Sequence, residues 1–452
     1  MRSQPEDTVK ENGWLKHSSN VSLEEVNSSV SVPSTGGFWR KFFAFAGPGS
    51  LVAVGYVDPG NWATSIAGGA RFGYTLLIVI LLSNLIAMLL QALSSKLGIV
   101  TGRDLAQATR DATGKKTAFF LWILTELAII ATDLAEVIGS AIALNLLFGI
   151  PLLLGIAITT LDVLLLLYLQ KKSFRIIESI VIVLMATIFV VFAFEVIASK
   201  PEISALFAGF IPKTEIATNP QMLFISLGIL GATVMPHNLY LHSSIVQTRQ
   251  FKRTTEGKRE AIKFSLIDST FSLTIAFLIN ASILILGAAA FYGTNLDVSE
   301  IEAAYELLSP TLGIGIASTL FAVALLASGQ NSTITGTISG QIVMEGFINL
   351  RISPWLRRLI TRLLAVIPAF VVTWLAGSKG TGELLLWSQV VLSLALPFAV
   401  VPLVLFTSDK KKMGEFTNKL PVKIVAWICT GVIVLLNIFL IGYIVVTGQE
   451  LG

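Results

Sequence analysis

Asp58-Pro59-Gly60-Asn61 interrupts the apolar run 44–69, and Met235-Pro236-His237-Asn238 interrupts the apolar run 222–247. Each quartet has proline second and asparagine fourth. Proline removes a helix hydrogen bond and collides with the preceding turn. Gly55 and Gly60 in one run, and Gly228 and Gly231 in the other, loosen the backbone further. Irregular backbone at membrane depth is tolerated only where it is buried in protein or lines a cavity. If the two runs cross a bilayer, the two quartets decide the architecture.

Composition says that they do. Of 452 residues, 54% are hydrophobic and only 13% are charged, against roughly a quarter charged in an ordinary soluble domain. Apolar runs near the roughly 20 residues needed to cross a bilayer recur through most of the chain. They fall at 44–69, 74–97, 117–146, 150–170, 175–198, 222–247, 264–292, 312–347, 356–376, 381–406 and 421–447, about eleven spans, the eighth long enough to tilt. The single cysteine, Cys429, excludes an intrachain disulfide or a cysteine-cluster metal site, and a net charge of +4 is too small to imply nucleic acid. No secretory signal peptide is expected, and the polar residues 1–37 read as disordered.

The basic residues set orientation. Of 32 Lys and Arg, all but Arg71, Lys200, Lys213 and Lys379 lie on one side of the spans, which identifies that side as cytoplasmic. The N-terminus is then inside and the C-terminus outside. Five spans precede the proline-rich connection 199–221, and because five is odd the next five enter the membrane inverted. The expected organisation is a disordered cytoplasmic tail 1–40, a first repeat 41–198, an extracellular connection 199–221, a second repeat 222–406, and a cytoplasmic loop plus last span over 407–452. The fold class is an all-α polytopic membrane protein. The two breaks occupy matching positions of inverted halves, the best pointer in a sequence to a transporter's substrate site.

The breaks carry ligating groups. A charged Asp58 near mid-membrane normally marks function. Asn61 adds an amide oxygen, unwound backbone exposes carbonyls such as that of Ala232, and Met235 adds a thioether. Oxygen donors alone suit Mg²⁺, Ca²⁺ or Na⁺, whereas a thioether favours later transition metals. The set therefore reads as a site for a divalent transition ion. Only three histidines exist, His17 in the tail and His237 and His242 in the sixth span. His237, inside the break, is suited to carrying a proton or gating the site. His242 reads equally as packing or polar lining.

A second polar track runs along the third span. Glu126 and Asp133 are one heptad apart and Glu136 is one turn further, so the three acids form a stripe. They resemble a proton relay, and Arg357, Arg358 and Arg362 at the start of the ninth span are candidate counter-charges. Asp162, Glu178, Glu195 and Asp268 are assigned no role. The polar stretch Ser328-Gly329-Gln330-Asn331-Ser332-Thr333-Ile334-Thr335-Gly336-Thr337 suits either close helix packing or the lining of a path. Its sequon lies inside a span and is not available for glycosylation.

These residues resemble the Nramp family of divalent metal–proton symporters. The likeness rests on Asp58-Pro59-Gly60-Asn61, on Ala232-Thr233-Val234-Met235-Pro236-His237-Asn238, and on Gly329 to Thr337 continuing to Gly340-Gln341 and Met344-Glu345-Gly346. It extends from about residue 38 onward. It implies two inverted five-helix repeats plus one helix, the fold of the bacterial leucine transporter. It also implies that Asp58, Asn61, Met235 and the Ala232 carbonyl bind metal, joined by Gln389 in the outward-facing state. His237, Glu126, Asp133 and Glu136 would serve protons, with Arg357 and Arg358 as the basic pair near the cytoplasmic exit. Family members that move Mg²⁺ or Al³⁺ depart from these motifs, so Mn²⁺ and Fe²⁺ are the expected cargo, with Cd²⁺ also bound.

The expected function is import of the metal by proton symport with alternating access, in a multi-pass plasma-membrane protein of bacterial type. No enzyme activity and no cofactor are expected. The partners are the divalent ion and the lipid bilayer, with no nucleic acid and a monomer as the simplest assembly. A cation-coupled amino-acid transporter shares the architecture, but an anionic Asp58 would repel a substrate carboxylate. An intramembrane metalloprotease would need His-Glu-x-x-His, which is absent from the sequence. An ion channel would more naturally carry a symmetric filter in an oligomer.

Overall fold

The computed structural model describes residues 14, 22–33, 35–162, 168, 173–293 and 301–447. Proline and glycine set the helix boundaries. Short helices α1 (Phe38–Phe45) and α2 (Pro48–Gly55) lead into the first break, and α3 (Pro59–Phe72) leaves it. A bend at Gly73, whose φ of 58° suits glycine, separates α3 from α4 (Leu77–Thr101). A short α5 (Leu105–Ala112) follows, capped at Asp104, and then α6 (Lys115–Phe148), α7 (Leu152–Thr159) and α8 (Phe174–Ser199). The connection between the halves is partly helical, in α9 (Ile203–Ala208) and α10 (Glu215–Thr218).

The second half repeats the plan. Helix α11 (Pro220–Thr233) enters the second break and α12 (Pro236–Ile245) leaves it. Then come α13 (Thr255–Phe291), α14 (Ile301–Leu312), α15 (Ala317–Ile348), α16 (Pro354–Ala395), α17 (Pro397–Thr407), α18 (Lys410–Met413) and α19 (Leu420–Thr447). The broken helices and the polar α15 occupy the middle. Helix α15 packs on α6, α3 on α13, and α11 on α16.

The protein is an all-α polytopic membrane protein with two discontinuous helices. Eight helical stretches among the described residues are long and apolar enough to cross a membrane. One of them, Pro59–Thr101, combines α3 with α4, and so holds parts of two expected spans. Helix α15 falls short in apolarity because of its polar middle, although its 32 residues are ample in length. The expected span 150–170 includes 163–167 and 169–170, which lie outside the described residues.

Three features differ from expectation. The ninth and tenth spans run together as α16, which turns at Gly377 (φ 64°, ψ −150°) without a separate loop. The tenth span is itself divided at Leu396-Pro397, where Pro397 starts α17. The tail is not disordered in its described part. Val30–Ser31 (β1) pairs in parallel with Arg249–Gln250 (β2). The Leu23 N–H donates to Glu345 Oε2 at 3.0 Å, and the Ser28 N–H to the Gln247 carbonyl at 3.0 Å. Trp14 is buried edge-on against Phe406, with Arg103 and Lys412 over its ring. Composition misses this docking because backbone groups make much of it.

Candidate metal site at the paired helix breaks

The first break is a helix start. Asp58 is the N-cap of α3, Pro59 stands at the first helical position, and Asn61 is two further on. Asp58 Oδ1 accepts from the Asn61 N–H at 2.8 Å and from Asn61 Nδ2 at 2.7 Å. The second break is built likewise, with Met235 extended before Pro236. Proline costs nothing at such a position because its missing N–H would have no helical partner there. Each half-helix that ends at a break leaves carbonyls without an intrahelical donor, and that of Ala232 is one of them.

The two breaks meet. Asn61 Nδ2 also donates to the Ala232 carbonyl at 3.0 Å, so one amide nitrogen stands between the carboxylate of one break and the carbonyl of the other. Asp58 Oδ2 is buried with no hydrogen-bond partner among the described residues. Met235 Sδ accepts from Asn238 Nδ2 at 3.7 Å. Gln389 lies on α16 with its amide against Gly60, where a β-carbon would overlap it; its Nε2 donates to Ser388 Oγ at 2.8 Å and its Oε1 has no described partner. Asp58, Asn61, Ala232, Met235 and Gln389 are each at most 2% exposed, so the group is closed to both faces.

Neighbouring groups hold this geometry, several of them not anticipated. Asn280 Nδ2 donates to the Tyr56 carbonyl at 2.6 Å and lies 3.5 Å from Asn61 Oδ1. Gln91 Nε2 donates to the Tyr56 hydroxyl at 2.8 Å, and Gln91 Oε1 faces His242 Nδ1 at 3.0 Å. His242 is thus part of a polar chain behind the break. His237 is buried and its Nδ1 has no described partner. Ser328 donates to the Val57 carbonyl, which also accepts from Trp62 Nε1 at 3.2 Å. Isolated polar residues in apolar runs, Asn280 and Gln91, were the available signals for these neighbours.

The acids of α6 meet the arginines of α16. Arg357 bonds Glu126 at 2.8 Å, nearer the end of the helix. Deeper, Arg358 pairs with Asp133, with Glu136 at 2.9 Å and with Asp162 at 3.5 Å. Arg362 pairs with Asp162, approaches Glu136 to 3.7 Å and donates to Thr333 Oγ1 at 3.1 Å. Thr333 in turn donates to Glu136 Oε2 at 3.1 Å. A β-carbon at Gly336 would lie 3.1 Å from Glu136 Oε1, so this glycine of the polar stretch makes room for the network. That stretch therefore both packs helices and faces polar groups.

The remaining acids sort differently. Glu178 bonds Arg249 at 2.6 Å, and Asp268 accepts from the Gly47 and Gly49 N–H groups at 3.1 and 2.7 Å, which fixes the junction of α1 and α2. Glu195 is buried, and both its oxygens lack described partners. Asp162 alone of the four set aside in the sequence joins the arginine network.

Comparison with known proteins adds a family. The Nramp family model, described as natural resistance-associated macrophage protein-like, matches residues 49–442. A divalent metal cation transporter MntH from Listeria welshimeri is 65% identical over 448 residues, covering 99% of this chain and 100% of its own. MntH from a Nostoc species is 60% identical over 421 residues, 93% of this chain and 95% of its own. A manganese transporter of Eremococcus coleocola, solved with an aromatic bis-isothiourea compound, superposes with a TM-score of 0.87 at 47% identity, covering 93% of this chain and 90% of that one. Mhp1, a nucleobase-cation-symport-1 family transporter, shares the fold at 16% identity, with a TM-score of 0.60 and 97% of each chain covered.

Proposed function

The chain belongs to the Nramp family of divalent metal transporters, and from that premise we propose that it imports Mn²⁺ or Fe²⁺ by proton symport, taking the ion between its two helix breaks. The observation that carries this reading is the Asn61 amide nitrogen bridging Asp58 and the Ala232 carbonyl. An N–H₂ group is the positive end of a dipole, so it occupies the position that suits a cation. A metal ion displaces it, and the amide turns to offer Oδ1. Asp58 supplies the charge, Ala232 its carbonyl, Met235 its sulfur, and Gln389 Oε1 a further oxygen.

This donor set discriminates. One carboxylate with neutral oxygens gives Ca²⁺ and Mg²⁺ fewer hard ligands than they usually take, whereas a thioether suits Mn²⁺, Fe²⁺ and Cd²⁺ better. The free oxygen of Asp58 argues against a substrate carboxylate in the same place, which disfavours the amino-acid transporter. Protons would leave by His237 and the stripe Glu126, Asp133 and Glu136, with Arg357 and Arg358 as counter-charges.

In this reading 41–198 and 222–406 form the inverted repeats that rock about the breaks, while 199–221 lies outside. The basic face is cytoplasmic, the C-terminus is extracellular, and the protein works as a monomer in a bacterial plasma membrane. Mn²⁺ uptake into proteoliposomes under an acid-outside gradient tests it. Uptake is expected in the wild type and not in Asp58→Ala; unchanged uptake in that variant overturns the assignment.

A further inference from the structure

Charge counting around Arg358 and Arg362 singles out Asp162. Without it, two carboxylates (Asp133 and Glu136) face two guanidiniums, and the quartet is balanced. With it, three carboxylates share two guanidiniums, all five side chains at most 4% exposed. Glu126 and Arg357 form a separate pair and leave the count unchanged. Asp162 follows shortly after α7, whose packing neighbours are chiefly α6 and α16, and the charged groups that meet Asp162 are those same acids and arginines. Thr333 of α15 adds a hydroxyl but no charge.

An uncompensated charge inside a membrane protein is costly, and a carboxylate avoids the cost by taking a proton. We propose that Asp162 makes this network proton-holding: the five groups bind one proton, shared among three carboxylates, and this proton is the one transferred during metal transport. The inference rests on the proton-symport reading above. The guanidiniums stay protonated throughout. One proton arrives on a carboxylate of the network and one leaves it, so charge and atoms balance over a cycle. Asp162 acts here as a positioning residue that sets the network's charge, without touching the metal.

The test is a charge-count series in proteoliposomes, reading Mn²⁺ entry and lumen acidification together, with Mn²⁺ binding measured on each purified variant. Asp162→Asn keeps the shape and leaves a balanced quartet; it is expected to bind and carry Mn²⁺ but to lose metal-dependent acidification. Asp162→Asn combined with Arg362→Gln leaves two carboxylates and one guanidinium, and is expected to regain acidification. A purely structural role for Asp162 would not produce that rescue. Wild-type acidification in Asp162→Asn, or a metal-binding double variant that stays uncoupled, overturns the proposal. If Asp162→Asn does not fold, the double variant decides alone. A wild-type protein that carries Mn²⁺ with no proton flux would instead overturn the symport reading itself.

Discussion

Replacing Met235 with alanine separates packing from ligation. The side chain is fully buried at the second break, and its sulfur is held by Asn238 at 3.7 Å. Truncating such a methionine costs about 2–5 kcal/mol of stability. The effect on metal affinity is distinct. The donors left are the Asp58 carboxylate and the oxygens of Asn61, Ala232 and Gln389, a wholly hard set that favours no soft ion. Substitutions one shell removed from a metal commonly cost 10- to 100-fold in affinity, so a lost direct ligand should weaken Cd²⁺ by at least about 1.4–2.8 kcal/mol. Mn²⁺ should lose less and Ca²⁺ least, since Ca²⁺ gains little from sulfur. Calorimetric titration of the purified variant with each ion reads the three affinities, while a thermal melt reads the packing cost. Equal loss for Cd²⁺ and Ca²⁺, or none for either, refutes the ligand role.

Three other perturbations follow from the same geometry. Arg358→Ala leaves Asp133 and Glu136 without their shared partner, and removing one side of a buried ion pair costs about 3–5 kcal/mol; a thermal melt should show a large loss. Gly60→Ala drives a methyl group into the Gln389 amide, an overpacking worth about 1–3 kcal/mol, and Gln389→Ala in the same chain should restore the melting temperature. Asp104, in the connection between α4 and α6, has its carboxyl pushed by burial from 3.8 up to about 6, against the opposing hydrogen bond from the Gln107 N–H. The folded state then holds more protons than the unfolded one between those values. Stability should therefore fall as pH rises from about 4 to 6 and level off above. Melts across that range should lose the slope in Asp104→Asn.

Much of this architecture can be read in one dimension. A proline at each break and a bilayer-length run around it are local properties, so both interruptions were visible, as were Asp58 and Met235 within them. The acid stripe of α6 was visible for the same reason, since Glu126, Asp133 and Glu136 belong to one helix. What escaped depends on partners distant in sequence. Asp162 could be assigned no role because Arg362 lies two hundred residues further along. Asn280 gains its meaning only where α13 crosses the first break. Pro397 was overlooked because the apolar run continues on both sides of it, and hydropathy does not register a change of direction. Glycines that make room, such as Gly336, have no pattern of their own until the neighbouring charges are in place.

The docked tail has a use in measurement. Apart from the buried Trp14, its backbone is tied by a two-residue ladder and the amide bonds of Leu23 and Ser28, so it forms a small cooperative unit that can open without melting the bundle. Its anchorages lie on different elements: the Leu23 amide on Glu345 of α15, and the Ser28 amide and the ladder on the segment that follows α12. Deuterium exchange at the Leu23 and Ser28 amides would therefore time the parting of α15 from the segment after the second interrupted helix, with no label attached to either.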